Sequence, residues 1–258
     1  MKYIKTTLVY FFLGLICAQA QVIIDTESSL KKIDSTFHLF ANFMTDRKKG
    51  NFDFSYLRGD VTIGSRKNNN LYRLTFSHTS KKFNGNLFDK SNNLQLRWNH
   101  FLNKNHSLFV FAQTGNNRRS FIDERTLLGV GLRFHLYQKS KNYFDIAFGP
   151  FYEYEAYPAY SYEEIDYAIS TNETMRISLN LFGSVKLFEN ITSLTTLYTQ
   201  WKYDEIGNFR IFGNQYLRFK INEKVSTFVR YVIHYRSINY VRILKNDTDF
   251  MYGIEINI

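Results

Sequence analysis

The sequence predicts an all-β protein, a closed up-and-down antiparallel transmembrane β-barrel of about 12 strands. Three observations predict it. Apolar and polar residues alternate with period two, in window after window, from residue 36 to the end of the chain. An export signal stands in front of them. The connections alternate between short and long, as in barrels with short periplasmic turns and longer outer loops.

The export signal comes first in the chain. Lys2 and Lys5 form a basic start, an apolar run follows from Leu8 to Ile16, and Ala18-Gln19-Ala20 is a small-x-small cleavage box. Residues 1–20 are therefore expected to be a signal peptide cleaved after Ala20. Ile16, in place of a small residue before Cys17, argues against a lipoprotein. The chain has one Cys, and it leaves with the signal peptide, so neither a disulfide framework nor a cysteine-built zinc site is available. The formal charge falls from +10 to +8 as Lys2 and Lys5 are lost. Phe 25, Tyr 19 and only two Pro argue against a disordered chain. No apolar run reaches the roughly 18 residues of a membrane-spanning helix. Residues 21–35 read as a short polar periplasmic segment, and 36–258 as one barrel domain with no internal linker.

The predicted strands follow in order. The first five are 36–45, 52–66, 70–80, 91–101 and 107–115. The clearest is 126–137: Leu128, Val130, Leu132, Phe134 and Leu136 lie on one face, with Leu127, Gly129, Gly131, Arg133 and His135 on the other. In 142–155, Phe144, Ile146 and Phe148 oppose Asp145, Ala147, Gly149, Glu153 and Glu155. In 174–187, Met175, Ile177, Leu179, Leu181, Val185 and Leu187 oppose Arg176, Ser178, Asn180, Ser184 and Lys186. After 191–204, the strand 209–221 splits into Ile211, Leu217, Phe219 and Ile221 against Arg210, Asn214, Arg218 and Lys220. In 225–236, Val225, Val229, Tyr231, Ile233 and Tyr235 oppose Ser226, Arg230, His234 and Arg236. The last strand, 248–258, sets Phe250, Tyr252, Ile254, Ile256 and Ile258 against Asp249, Gly253, Glu255 and Asn257. A helix would scatter these Arg and Glu residues around its whole surface. The odd-numbered connections (46–51, 81–90, 116–123, 156–170, 205–208 and 238–247) read as the longer set.

Alternation alone fits a soluble sandwich or barrel equally well. Export, strict up-and-down connections, strands of bilayer-crossing length and aromatics near strand ends favour the membrane. Those aromatics are Tyr72, Trp98, Tyr152, Tyr154, Tyr203, Tyr235 and Tyr252. An amphipathic final strand ending on Ile258 resembles the signal read by the barrel-assembly machinery, the first expected partner. A secreted soluble β-barrel binding module is the rival architecture.

Two segments, with the tail from Asn190 to Ile258, carry a family resemblance. They are Glu124 to Tyr137 (ERTLLGVGLRFHLY) and Phe144 to Glu155 (FDIAFGPFYEYE). They resemble a family of salt-induced outer-membrane proteins known as a domain of unknown function, and the likeness spans roughly 52–258. The resemblance implies an outer-membrane barrel of a Gram-negative bacterium with no assigned catalytic residues. Gly129-Val130-Gly131 is not a nucleotide loop, because it lies mid-strand with no helix after it. It reads as close packing or room inside the barrel.

The inward set carries both charges: Arg97, Arg133, Arg176, Arg210, Arg218, Lys220 and Arg230 against Asp145, Glu153, Glu155, Asp249 and Glu255. These residues either pair and plug a narrow barrel or line a narrow water path favouring anions. Basic residues in three connections (Arg47, Lys48, Lys49, Lys81, Lys82, Arg118 and Arg119) are expected to face outer-membrane lipid and lipopolysaccharide phosphates. The acidic, tyrosine-rich 156–170 connection has no regular oxygen-ligand spacing. No metal, cofactor or nucleic-acid site is expected, since basic residues are dispersed and the His residues do not cluster.

One catalytic constellation stands out. His78-Thr79-Ser80, with Asn92 on the next strand, resembles the outer-membrane phospholipase A family, whose His is the base for a Ser nucleophile and whose Asn orients the His. Lys81-Lys82 after the Ser departs from that pattern, as does the strand on which the pair falls. The expected role is therefore non-enzymatic: an envelope barrel, structural or a narrow channel, with lipid hydrolysis as the alternative.

Overall fold

The computed structural model describes residues 37–257 apart from 52, 140–141, 163–164, 168–169 and 239–244. The signal peptide, its cleavage after Ala20, segment 21–35 and Ile258 lie outside the described residues. The strands are β1 (His38–Lys48), β2 (Phe54–Lys67), β3 (Asn70–Phe83), β4 (Asn86–Phe101), β5 (His106–Asn117), β6 (Ile122–Lys139) and β7 (Asn142–Tyr157). Then come β8 (Tyr160–Tyr162), β9 (Ile165–Tyr167), β10 (Ser170–Lys186), β11 (Ile191–Lys202), β12 (Glu205–Lys220), β13 (Val225–Arg236) and β14 (Asn246–Asn257). Twelve of them close into a barrel in chain order, every pair antiparallel, with β1 on β14. Strands β8 and β9 form a separate two-stranded hairpin inside the β7–β10 connection. Each of the 12 predicted strands overlaps one barrel strand.

Closure removes the unpaired edges that hydrocarbon cannot satisfy. The exterior is apolar: Leu128, Val130, Phe144, Phe148, Ile177, Leu179, Phe250 and Ile254 are all exposed. A soluble barrel would have to bury such a surface against another element. No helix among the described residues is long and apolar enough to cross a membrane. Tyr72, Tyr152 and Tyr252 stand on the exposed outer face and Tyr203 in the exposed β11–β12 turn, while Trp98 pairs across strands with Tyr72 and donates to Asn70 Oδ1 at 3.0 Å.

The reading of the connections needs correction. The stretch 81–90, read as a long loop, is mostly strand: β3 runs to Phe83, β4 starts at Asn86, and Asn84-Gly85 makes the turn with φ of 47° and 79°. Two successive positive φ values are the geometry of a two-residue hairpin turn, which Asn-Gly favours. Likewise 205–208 belongs to β12, and 118–120 is one tight 3-10 turn closed by Phe121 in the left-handed region. Only 158–169 and 237–245 remain long. The remaining length asymmetry is carried by strands that run on past the apolar belt.

The β6–β7 wall is packed unusually close. A Cβ on Gly149 would strike the carbonyl oxygen of Val130, and one on Gly131 would strike the Phe109 ring. Pro150 has no N–H to give β6, and the β6–β7 register skips from Gly129↔Phe151 to Leu132↔Phe148 at that level.

Candidate functional site

The candidate site is the barrel interior, which separates into three zones between the two rims. One rim carries the His38 and Asn257 ends and the connections 68–69, 102–105, 187–190 and 221–224; the other carries Asn84-Gly85, the 118–120 turn and the 237–245 connection.

Near the rim with the chain ends, charges pair tightly. Arg133 donates to Asp145 at 2.7 Å, and His135 approaches the same carboxylate at 3.1 Å. Arg218 meets Glu255 at 2.8 Å, and the Tyr216 hydroxyl donates to Glu255 at 2.7 Å. The Arg97 guanidinium lies 4.4 Å over the Phe109 ring. Lys220, expected in the lumen, instead reaches Glu223 at the rim. Its strand ends there, so a long lysine side chain extends to water more cheaply than into the barrel.

The middle zone is apolar. Phe109, Tyr143, Ala147, Phe182, Leu194, Tyr198, Phe212, Tyr216, Phe228, Val232 and Met251 form one buried cluster inside the barrel, with Met44. Phe182 and Tyr198 pack edge to face at 5.5 Å, and Tyr216 stacks on Phe228 at 4.8 Å. Arg133 sits 4.3 Å over Phe182, tying this layer to the charged zone below. The polar lumen of the sequence reading therefore holds an aromatic plug. Period two had already given the signal: Phe228 and Val232 share parity with Ser226 and Arg230.

The third zone, toward the other rim, has two separate ionic clusters. The first is dry. Glu153 accepts from Arg125 at 2.5 Å, Arg176 at 2.6 Å and Arg210 at 2.6 Å. Glu155 accepts from Arg210 at 2.9 Å and from the Tyr157 hydroxyl at 2.6 Å, and forms an ion pair with Arg125 at 3.3 Å. Arg176 also donates to the Asn208 carbonyl at 3.3 Å. The cluster ties β6, β7, β10 and β12 together, and its carboxylates are wholly buried.

The second cluster lines an open cavity of about 70 Å³ at the mouth. By the volume a single water needs, that is room for about five waters. Its walls include Tyr56, Arg58, Asn93, Arg230, His234 and Asp247. Lys81 bridges Asp89 at 3.3 Å and Asp249 at 3.6 Å. Arg119, on the turn after β5, pairs with Asp247 and reaches Asp249 at 3.7 Å. Lys81 and Arg119 were expected to face lipid phosphates; both fold inward because carboxylates of β14 lie within reach across the mouth. Arg47, Lys48, Lys49, Lys82 and Arg118 remain exposed. Arg125, Arg58, Asp60, Asp89, Asp247 and Tyr157 were missed as site residues; the inward parity of Arg58, Asp60 and Arg125 was readable, whereas Asp89, Asp247 and Tyr157 fell in stretches read as connections.

On the outer face, His78 and Asn92 stand opposite each other in the β3–β4 register, and His78 Nδ1 lies 2.8 Å from Asn92 Oδ1. An amide oxygen accepts, so this bond places the proton on Nδ1 and leaves Nε2 free to act as a base. Asn92 in turn donates to Asn116 Oδ1 at 3.2 Å. Ser80 shares that face two residues along, opposite Lys90, and no hydrogen bond joins it to His78 among the described residues. No cluster of three metal-ligating side chains occurs among the described residues. The side chains of the acidic 160–169 stretch lie outside the described residues.

Residues 41–257 match the family described as Protein of unknown function, DUF481, and the chain belongs to that family. That description makes no mention of salt. No curated protein matches the sequence. The structure is similar to the translocator domain of autotransporter NalP from Neisseria meningitidis, at TM-score 0.49 and 12% identity over 85% of this chain and 86% of that one. It is similar to the NanC porin at TM-score 0.49 and 10% identity, over 85% and 98%. It is also similar to the KdgM porin at TM-score 0.47 and 10% identity, over 85% and 98%.

Proposed function

We propose that this member of the DUF481 family is an outer-membrane barrel whose lumen is filled, a structural envelope component and not an open pore. The chain-end rim is periplasmic in this reading, and the Arg119 mouth faces outward. One observation carries the proposal: Ala147, Phe182, Phe212 and Phe228 are 0–1% exposed at the middle of the barrel, so water does not reach the layer that a solute would have to cross. Below it the Arg133–Asp145 and Arg218–Glu255 pairs occupy the width. Exposed Arg47, Lys48, Lys49, Lys82 and Arg118 suit the phosphates of lipopolysaccharide at the outer surface.

Planar-bilayer recording tests the reading. The wild-type barrel is expected to give no discrete conductance steps. A Phe182→Ala/Phe212→Ala double variant, which hollows the plug, is expected to give small ones. Regular steps from the wild type would sink the proposal in favour of a narrow channel.

A second reading, lipid hydrolysis on the outer face, is favoured by the 2.8 Å His78–Asn92 bond. That bond supplies an oriented base beside a hydroxyl, the first two requirements of a serine nucleophile. No hydrogen bond joins Ser80 to His78 among the described residues, so the reading requires that this bond form when substrate binds. Phospholipid turnover in mixed micelles, abolished by Ser80→Ala, would establish this activity; a wild type without turnover removes it.

A further inference from the structure

The dry cluster contains a charge that its own carboxylates do not serve. Arg236 is 0% exposed, and its Nε, Nη1 and Nη2 all lack a hydrogen-bond partner. A guanidinium stays protonated in proteins and carries five donors, so an unpartnered buried one demands a compensating group. Its position makes the demand sharper. Arg236 lies directly across from Arg210 in the β12–β13 register, both facing inward. Like charges directly opposite repel. Arg210 takes both carboxylates, Glu153 and Glu155, and the other charged or titratable groups around Arg236 are Arg125 and Tyr157. Among the described residues the cluster thus sets four guanidinium groups, from Arg125, Arg176, Arg210 and Arg236, against the two carboxylates.

We infer that Arg236 is the anchor of a binding site for a small soluble oxyanion, phosphate or a carboxylate, held inside the outer end of the barrel. The planar guanidinium fork matches two oxygens of such an anion. The position excludes a lipid headgroup as the source, because Arg236 faces the interior and the lipid lies beyond the wall. It also separates this site from the mouth cavity, where Lys81 and Arg119 are already paired with Asp89, Asp247 and Asp249. The inference is independent of the closed-lumen reading, since an anion seated on Arg236 would sit above the aromatic layer whether or not that layer conducts.

The full mature chain, folded in detergent micelles in phosphate-free buffer, provides the test. Inorganic phosphate at about 100 times its Kd is expected to raise the unfolding temperature by roughly 5 °C or more, at constant ionic strength, with a matching binding isotherm by titration calorimetry. Arg236→Met is expected to abolish both responses while unfolding no lower than the wild type without phosphate, because it deletes an uncompensated charge. Should that variant fail to fold, Arg236→Lys, which keeps the charge but not the fork, is expected to weaken phosphate binding at least tenfold. Phosphatidylglycerol vesicles without free phosphate are expected to give no stabilisation; an equal rise there would assign the site to lipid and overturn the inference. A wild type unresponsive to phosphate also overturns it, and so does an Arg236→Met response equal to wild type. A response appearing only in a Glu163→Gln/Glu164→Gln/Asp166→Asn variant would show that the chain's own carboxylates fill the place, which overturns it as well.

Discussion

The two ionic clusters at the rim away from the chain ends both pair carboxylates with basic side chains, and they differ in what surrounds them. In the Glu153–Glu155 cluster the carboxylates are 0% exposed and each receives several charge-assisted bonds. In the mouth cluster Arg119 is 38% exposed and Asp249 31%, beside a cavity that water can enter. Low dielectric strengthens every interaction in the first and makes every unmatched group in it costly; screening weakens the second. The wall beside each cluster follows suit. Strands β7 and β10 pair continuously from Tyr157↔Ser170 to Tyr143↔Ser184. Strands β1 and β14, on the same side of the barrel as the wet cluster, pair among the described residues only from Phe40↔Asn257 to Phe43↔Ile254, toward the chain-end rim. The dry cluster cross-braces a rigid wall. The wet one spans the mouth near the shortest seam, where Tyr56 and Arg58 of β2 reach Met251 of β14. The barrel is thus stiff on one side and adjustable on the other.

The sharpest way to break this comparison is Glu153→Gln. It keeps shape and one acceptor but leaves Arg125, Arg176 and Arg210 facing one remaining carboxylate, Glu155. Breaking a buried pair from one side typically costs ~3–5 kcal/mol. Urea unfolding of the variant in lipid vesicles is expected to show a loss of that size, nearly independent of salt because the site is dry. A loss under ~1 kcal/mol would mean that water reaches the cluster and that the two regions do not differ.

How much of this was legible in the sequence follows from the same physics. Strand number and facing were readable because lipid penalises a polar side chain outside, so residues such as Leu128, Val130, Ile177 and Leu179 mark the outer column. Inside, no such rule applies. Water, an ion pair or a ring can all fill the space, and so Phe212 and Phe228 sit in the same columns as Arg210 and Arg230. Beyond the belt the outer column turns polar as well, which is why Lys82, Asn86 and Lys90 read as loop although they are strand. The Asn84-Gly85 pair was the available cue there. Pairings between distant strands left no trace in local pattern: nothing near Arg119 announces Asp247, which lies 128 residues away. The Gly129 and Gly131 reading as close packing does follow from position, since the rings of Phe111 and Phe109 fill the space where their side chains would be.

The smallest effect belongs to the mouth, and it sharpens the comparison by contrast. Arg119→Gln removes the bridge to Asp247 and Asp249 but leaves Lys81 facing both Asp89 and Asp249. The groups it uncovers line the mouth cavity, where water can reach them, although Asp247 is itself largely buried. Half-exposed pairs of this kind contribute ~0.2–1 kcal/mol, so the variant is expected to unfold within that margin of the wild type in low salt. The difference is expected to vanish in 1 M salt, where the screening length is about 3 Å. A loss as large as that of Glu153→Gln, persisting in high salt, would show the mouth to be as dry as the cluster behind it; the division of the barrel into a braced and an adjustable side would then fail.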